Sequence, residues 1–350
     1  MTRTVVARLD AAGDVLLAGP AVRAAAAGSD HVTLLAGPRG AAAAELLPGV
    51  DEVMVWACPW IEPSPAPVRR AETTALVQEL AGRQFDRALV LTSFHQSPLP
   101  TALLLRLAGV PWIGAISEDY PGSLLDLRHR VDDDLPEAER ALSLALAAGF
   151  ELPPGDDGAL AVRRPLPDVT HLLGGRRPVV LHPGTSVPAR AWPPDRFHEL
   201  AQALTDNGIE VVVTGAPSER ALTGRVTSGT PALDLGGRTS LPELAAVLEA
   251  AAVVVAGNTG PAHLAAAVGT PIVSLFAPTV PSARWAPYRV PTVLLGEQDA
   301  PCRDTRATQC PVEGHPCLTS VPPDDVIDAV KQLCGELRPR TVRTPTRSTA

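Results

Sequence analysis

The sequence predicts an α/β protein made of two doubly wound, parallel-sheet units in tandem. Three observations point there. Short apolar runs alternate with helical patterns from Thr4 onward, which implies parallel strands with helices on both faces. The alternation breaks once, across "ELPPGDDGALAVRRPLPD", where Pro, Gly and charge collect. It then resumes in the same style. Residues 1–152 therefore read as the first unit, 153–175 as a linker and 176–336 as the second unit. The remainder, 337–350, is rich in arginine and lacks acid, and reads as a disordered basic tail.

Within the first unit, "TVVARL" is a strand that hands over to a helix from Val15. "HVTLLAG", "DEVMVWA", "DRALVLTS" and "PWIGAIS" follow as strands, separated by "AAAAELLPG", "AETTALVQELAGRQF" and "TALLLRLAG" as helices. "LPEAERALSLALAAG" closes the unit. In the second, "RPVVLHPG", "IEVVVTG", "ALDLGG", "AVVVAGN" and "PIVSLFA" are strands, with helices between them. Such pairs of units bind ligands between them, at the C-terminal ends of the strands.

Composition narrows the function classes. The chain is 45% hydrophobic and 19% charged, as a soluble globular protein is. Its formal charge of −8 argues against nucleic acid as the main partner. No apolar run approaches the ~18 residues of a membrane span. Val15 to Ala27 is mostly apolar, but Asp10 and Asp14 precede it and Arg23 interrupts it, so a secretory signal is not expected. Five cysteines, an odd number, fit a reducing cytoplasm better than a disulfide scaffold.

Four stretches carry chemistry. "RLDAAGDVLLAGPAVRA" places Asp10 and Asp14 where a strand hands over to a helix, a position that favours negative charge. "HPGTSVPARAWPPDRF" combines the Thr185 and Ser186 hydroxyls with the Arg190 guanidinium and a Pro-started helix, a set that can hold a diphosphate. "GNTGPAHLAAAVGTP" is a second strand-to-helix turn, with Asn258, Thr259, Gly260 and His263. "VVVTGAPSER" carries Glu219, a carboxylate able to accept from ribose hydroxyls. Taken singly, each is equally an ordinary loop, a core histidine or a helix-capping acid.

Together these stretches resemble glycosyltransferase family 9, the ADP-heptose:lipopolysaccharide heptosyltransferases, from Arg8 to about Val330. The resemblance implies a GT-B fold, in which two Rossmann-like domains face each other across a cleft. It implies inverting transfer from a nucleotide-sugar, with no cofactor and no metal. Asp14 falls on the family's catalytic base. Thr185, Ser186, Arg190, Glu219, Asn258, Thr259, Gly260 and His263 fall on its donor site. Asn258 departs from the aspartate that better-known members carry, which bears on the donor sugar.

The first domain is then the acceptor side, where Asp10, His95, Gln96 and Arg128 are candidates; Asp10 is also the second choice of base. The implied partners are a nucleotide-sugar, an ADP-sugar by resemblance, and a glycan, lipid-linked or small-molecule acceptor. The implied location is the cytoplasm, with peripheral contact at the inner face of the membrane as one option for the basic tail. A non-catalytic nucleotide-sugar-binding protein of the same fold is the alternative. Two further signals have bland readings. The acidic run Asp132 to Asp134 precedes a helix and suits its N-terminus. Cys302, Cys310, His315 and Cys317 lack a C-x₂₋₄-C pair, so packed or free thiols are favoured over zinc or a disulfide.

Overall fold

The structure, a computed structural model, describes residues 1–131 and 134–336. The tail 337–350 and two members of the acidic run, Asp132 and Asp133, lie outside the described residues. The first sheet holds β1 (Arg3–Arg8), β2 (His31–Ala36), β3 (Glu52–Val55), β4 (Arg87–Val90), β5 (Trp112–Ile116) and β6 (Leu127–His129). The second holds β7 (Val179–His182), β8 (Val211–Val213), β9 (Leu233–Asp234), β10 (Val253–Gly257), β11 (Ile272–Leu275) and β12 (Thr292–Leu295). Their orders are β3-β2-β1-β4-β5-β6 and β12-β11-β10-β7-β8-β9, with parallel pairing throughout. Two parallel-sheet domains of the GT-B kind thus face each other.

The central strands show why. Val5 and Val6 of β1, and Val253 to Val255 of β10, are fully buried. Helices cover both faces of a parallel sheet, so its middle strands are apolar on both sides. Register follows: Val5 pairs with Thr33 and Ala88, and Val254 with Val180 and Ile272. In each sheet the strand order reverses once, between β1 and β4 and between β7 and β10. Chains diverge from such a reversal and leave a crevice at the strands' C-terminal ends. The stretches singled out above leave β1, β7, β8 and β10, three of which flank a reversal.

The domains share a core. One apolar cluster runs from Val15 and Leu16, in the helix Ala12–Leu17, to Leu264 and Ala265, in the helix Gly260–Ala267. The N-terminal ends of these helices meet at Gly13 and Gly260. A Cβ on Gly13 would lie 2.9 Å from His263 Cδ2 and 3.3 Å from Gly260 Cα. Only glycine lets the helices approach this closely.

Several local expectations are corrected. The first helix begins at Ala12, so Asp14 sits inside its first turn and Gly13 is helical. The chain breaks at Ala18 and restarts as the helix Gly19–Ala27, with Pro20 in its first turn, where a missing N–H costs little. The edge strands β6 and β12 were not anticipated. Segment 153–175 has no strand and one short helix, Thr170–Leu173.

Candidate active site

The first domain's wall is built on Arg8, the last residue of β1, which is only 2% exposed. Its Nε lies 3.1 Å from Asp10 Oδ2, and its Nη2 lies 3.0 Å from both Asp14 Oδ1 and Ser93 Oγ. Glu137 Oε2 stands 4.0 Å away. Burial opposes this charge, but Asp10, Asp14 and Glu137 outweigh it and raise the arginine's pKa. Both oxygens of Asp10 are engaged, because Oδ1 accepts from Gln96 Nε2 at 2.6 Å. Burial pushes the Asp10 carboxyl up, against the pull of Arg8. Asp14 differs: Oδ1 accepts from Arg8, while Oδ2 has no hydrogen-bond partner among the described residues, and the side chain lines the cleft.

The second domain's wall comes from the exits of β7 and β10. After β7, Thr185 folds into a local turn, its Oγ1 accepting from Val187 N–H at 3.2 Å. Arg190 ends a short 3₁₀ turn that buried Trp192 anchors by packing edge-on against Phe197 and donating to Val321 O. After β10, Thr259 caps the helix Gly260–Ala267 through an extended backbone, with no capping bond from its side chain. Four buried polar atoms here lack a partner among the described residues: Arg190 Nε, Asn258 Nδ2, Thr259 Oγ1 and His263 Nδ1. Unsatisfied buried polar groups are rare and costly, so such a cluster marks a ligand's place. Burial lowers the Arg190 pKa, with Asp14 pulling the other way. Burial, helped by Arg190, pushes His263 down to about 4.

Two adjoining cavities lie between the walls. One, of about 360 Å³, has Asp10, Asp14, Ser186, Arg190, Asn258, Thr259 and His263 on its surface. The other, of about 390 Å³, is bounded by Gly184, Thr185, Glu219, Leu241, Leu244 and Pro261. They share Gly13, Ser186, Thr259 and Gly260. The first can hold an anion opposite a carboxylate; the second suits a flat, largely apolar group.

Glu219 lies across Gly184, where a Cβ would fall 2.2 Å from its Oε1. Its Oε2 accepts from Ala216 N–H at 2.7 Å and stands 4.0 Å from His182 Nε2. Burial pushes His182 down to about 4, and its Nδ1 bonds Thr214 Oγ1 at 2.9 Å.

The residues picked from the sequence are mostly brought together. Asp10, Asp14, His95, Gln96, Ser186, Arg190, Asn258, Thr259, Gly260 and His263 line the first cavity, and Thr185 and Glu219 the second. Arg128 is elsewhere: its guanidinium donates to the Ser117 and Glu118 carbonyls, and it lines neither cavity. The Pro-started helix, Pro194–Asp206, also lines neither; the helix end that does is Gly260–Ala267. Sequence reasoning missed Arg8, His182, Leu241 and Leu244. A helix-start signal was present for the leucines, because Ser240 and Glu243 form a reciprocal capping pair. Cys302, Cys310 and Cys317 carry free thiols, and His315 Nε2 bonds Ala189 O at 3.0 Å. Among the described residues no His, Cys, Asp or Glu group is arranged to hold a metal, and no helix is long and apolar enough to cross a membrane.

Comparison with known proteins bears on the family and the fold. The sequence model of glycosyltransferase family 9 (heptosyltransferase) matches residues 73–315. Lipopolysaccharide heptosyltransferase 1 of Salmonella typhimurium is 29% identical over 233 residues, 65% of this chain and 70% of that protein. Lipopolysaccharide heptosyltransferase 3 of Escherichia coli K12 is 30% identical over 170 residues, 47% of this chain and 48% of that protein. In fold, the chain is similar to a family 9 glycosyl transferase from Veillonella parvula, with a TM-score of 0.77 at 19% identity, covering 96% of this chain and 98% of that one. It is also similar to E. coli ADP-heptose lps heptosyltransferase II, with a TM-score of 0.72 at 21% identity over 96% and 99%. With its residues grouped in the cleft of such a fold and the family match spanning most of its length, the chain belongs to glycosyltransferase family 9.

Proposed function

We propose that this chain transfers heptose from ADP-heptose to a hydroxyl of a glycan, lipid-linked or small-molecule acceptor, with inversion and with Asp14 as general base. The observation that carries the reading is the set of unpartnered atoms on Arg190, Asn258, Thr259 and His263, in one cavity with Asp14. A sugar diphosphate would satisfy them, with the guanidinium and the N-terminus of the helix Gly260–Ala267 on the phosphates. The second cavity takes the nucleoside. Its apolar wall receives a base, and Glu219 stands at hand for ribose hydroxyls.

The chemistry follows from which groups remain available. The acceptor hydroxyl enters from the first domain, and its proton passes to Asp14. Arg8 fixes that carboxylate by one oxygen and leaves the other for the hydroxyl. As the sugar–phosphate bond breaks, negative charge grows on the diphosphate, and Arg190 with the helix N–H groups stabilises it. General-base help is worth ~10²–10⁴-fold, and such prearranged donors ~10²–10³-fold each. These cationic and dipolar groups are the basis for placing the donor without a metal.

A thermal-shift screen of ADP-, GDP-, UDP- and dTDP-sugars tests the reading. ADP-heptose should stabilise the protein most, by about 2.7 kcal/mol at 100 times its Kd. A larger shift from a UDP- or dTDP-sugar would contradict the adenine assignment. A larger shift from another ADP-sugar would confine the error to the sugar, the part that Asn258 touches in this reading.

A further inference from the structure

Besides Arg39, which lines both cavities and pairs with Glu62 at 3.1 Å, the cleft contains a cation on a loop not yet given a role. Arg306 lines the cavity that holds Asp14 and Arg190, but it does not line the nucleoside cavity. It belongs to the cysteine-bearing segment 302–317. Arg306 adopts a left-handed backbone at φ 56°, two residues after Asp304 at φ 58°. Left-handed backbone is disfavoured for residues with a Cβ, and it persists where surrounding structure enforces it.

That enforcement is visible. Arg306 N–H donates to Thr279 O at 2.8 Å and Asp304 N–H to Pro278 O at 2.9 Å, which ties the loop to the turn after β11. Ala189 N–H donates to Thr308 O at 3.0 Å, and His315 bonds Ala189 O, which ties it to the turn carrying Arg190. Buried Cys302 and Cys317 seat the base of the loop in the second domain's core.

Its side chain reaches towards the first domain, with Cζ 5.9 Å from the ring centroid of Phe94. Among the described residues no carboxylate pairs with Arg306, and Arg190 likewise has none. Arg306 adds to the burial that lowers the tendency of Arg190, and of His95, to hold charge. Two guanidiniums converge on one cavity, opposite Asp10 and Asp14 and with no carboxylate paired to either among the described residues, and such a pair calls for an anion of more than one charge.

We infer that Arg306 is a second cation for the diphosphate, acting on the sugar-bearing phosphate, while Arg190 holds the bridge to the nucleoside side. The inference rests on the donor reading above. Both arginines line the cavity with Asp14, where the glycosidic bond must break; Arg306 is given the outer phosphate because its guanidinium reaches across to Phe94 of the first domain.

The test is calorimetric titration of the full chain with ADP, AMP and inorganic pyrophosphate, comparing wild type, Arg306→Gln and Arg306→Lys. Arg306 is exposed, so both variants should fold. Arg306→Gln should weaken ADP and pyrophosphate at least tenfold and AMP less than twofold, and Arg306→Lys should recover part of the loss. Unchanged ADP binding in Arg306→Gln overturns the inference, whether turnover is also unchanged or the acceptor KM alone rises. Equal weakening of ADP and AMP overturns the assignment to the outer phosphate. If wild type binds pyrophosphate but not ADP, the donor reading fails; Arg306 then stands or falls by whether the glutamine variant weakens pyrophosphate. Wild type that binds neither ligand overturns both.

Discussion

Asp10 and Asp14 are four residues apart, and both contact Arg8, yet their surroundings differ. Asp10 has both oxygens engaged, by Arg8 and Gln96, and burial raises its pKa. Asp14 has one oxygen available and faces the cleft. Asp14→Asn should therefore lower kcat at least ~100-fold while leaving ADP affinity within about twofold. Steady-state kinetics with parallel titration checks this; near-normal turnover with Asp10→Asn inactive would move the role to Asp10. At this scale much was legible. Asp14, Arg190, Thr259 and His263 lie in stretches where residue type and position next to a strand end carry the signal. Arg8 was not, because its partners Ser93 and Glu137 are distant in sequence and an arginine closing an apolar strand has no local signature. Arg128 misled because an arginine reads alike whether it serves an anionic acceptor, lies on a solvated face or, as here, donates to backbone carbonyls.

Among the elements, the helices Ala12–Leu17 and Gly260–Ala267 decide the site's geometry by meeting end to end. The added methyl of Gly13→Ala would fall 2.9 Å from the His263 ring, which is buried and has little room to move. The variant should lose ~1–3 kcal/mol of stability, as overpacked cores do, and should bind ADP more weakly because the walls are forced apart. Urea unfolding and titration measure both; wild-type values in both would show that the contact is not constraining. The alternation of strands and helices was readable because central parallel strands are apolar on both faces. The edge strands β6 and β12 were not, since each is only partly buried and short, and β12 is hemmed by Pro291 and Gly296.

Across the whole molecule, two histidines couple the cleft to pH. His182 and His263 are almost fully buried, and burial holds each at about 4, below the ordinary value of about 6.5. Between those values the unfolded chain binds more protons than the folded one. Stability is therefore complete above about pH 6.5 and falls as pH drops towards 4, by up to ~1.4 kcal/mol per unit for each histidine. Asp10 and Glu137, whose pKa values burial raises, act in the opposite sense and soften the slope. Urea midpoints at pH 7 and pH 5 should show the loss, and equal midpoints would contradict it. At this scale two tandem domains could be foreseen from the break in periodicity. The continuity of one apolar core across them could not, because it depends on contacts between helices far apart in the chain.

The central claim is that the cleft grips a diphosphate through Arg190 opposite Asp14. Calorimetric titration of ADP and adenosine into wild type and Arg190→Ala tests it most directly. The account predicts that the variant weakens ADP by at least ~10-fold, the share that one charge-assisted contact supplies, while adenosine binding stays within about twofold. Equal weakening of both ligands would mean that Arg190 only supports the shape of the site, and the donor placement argued from it would be wrong.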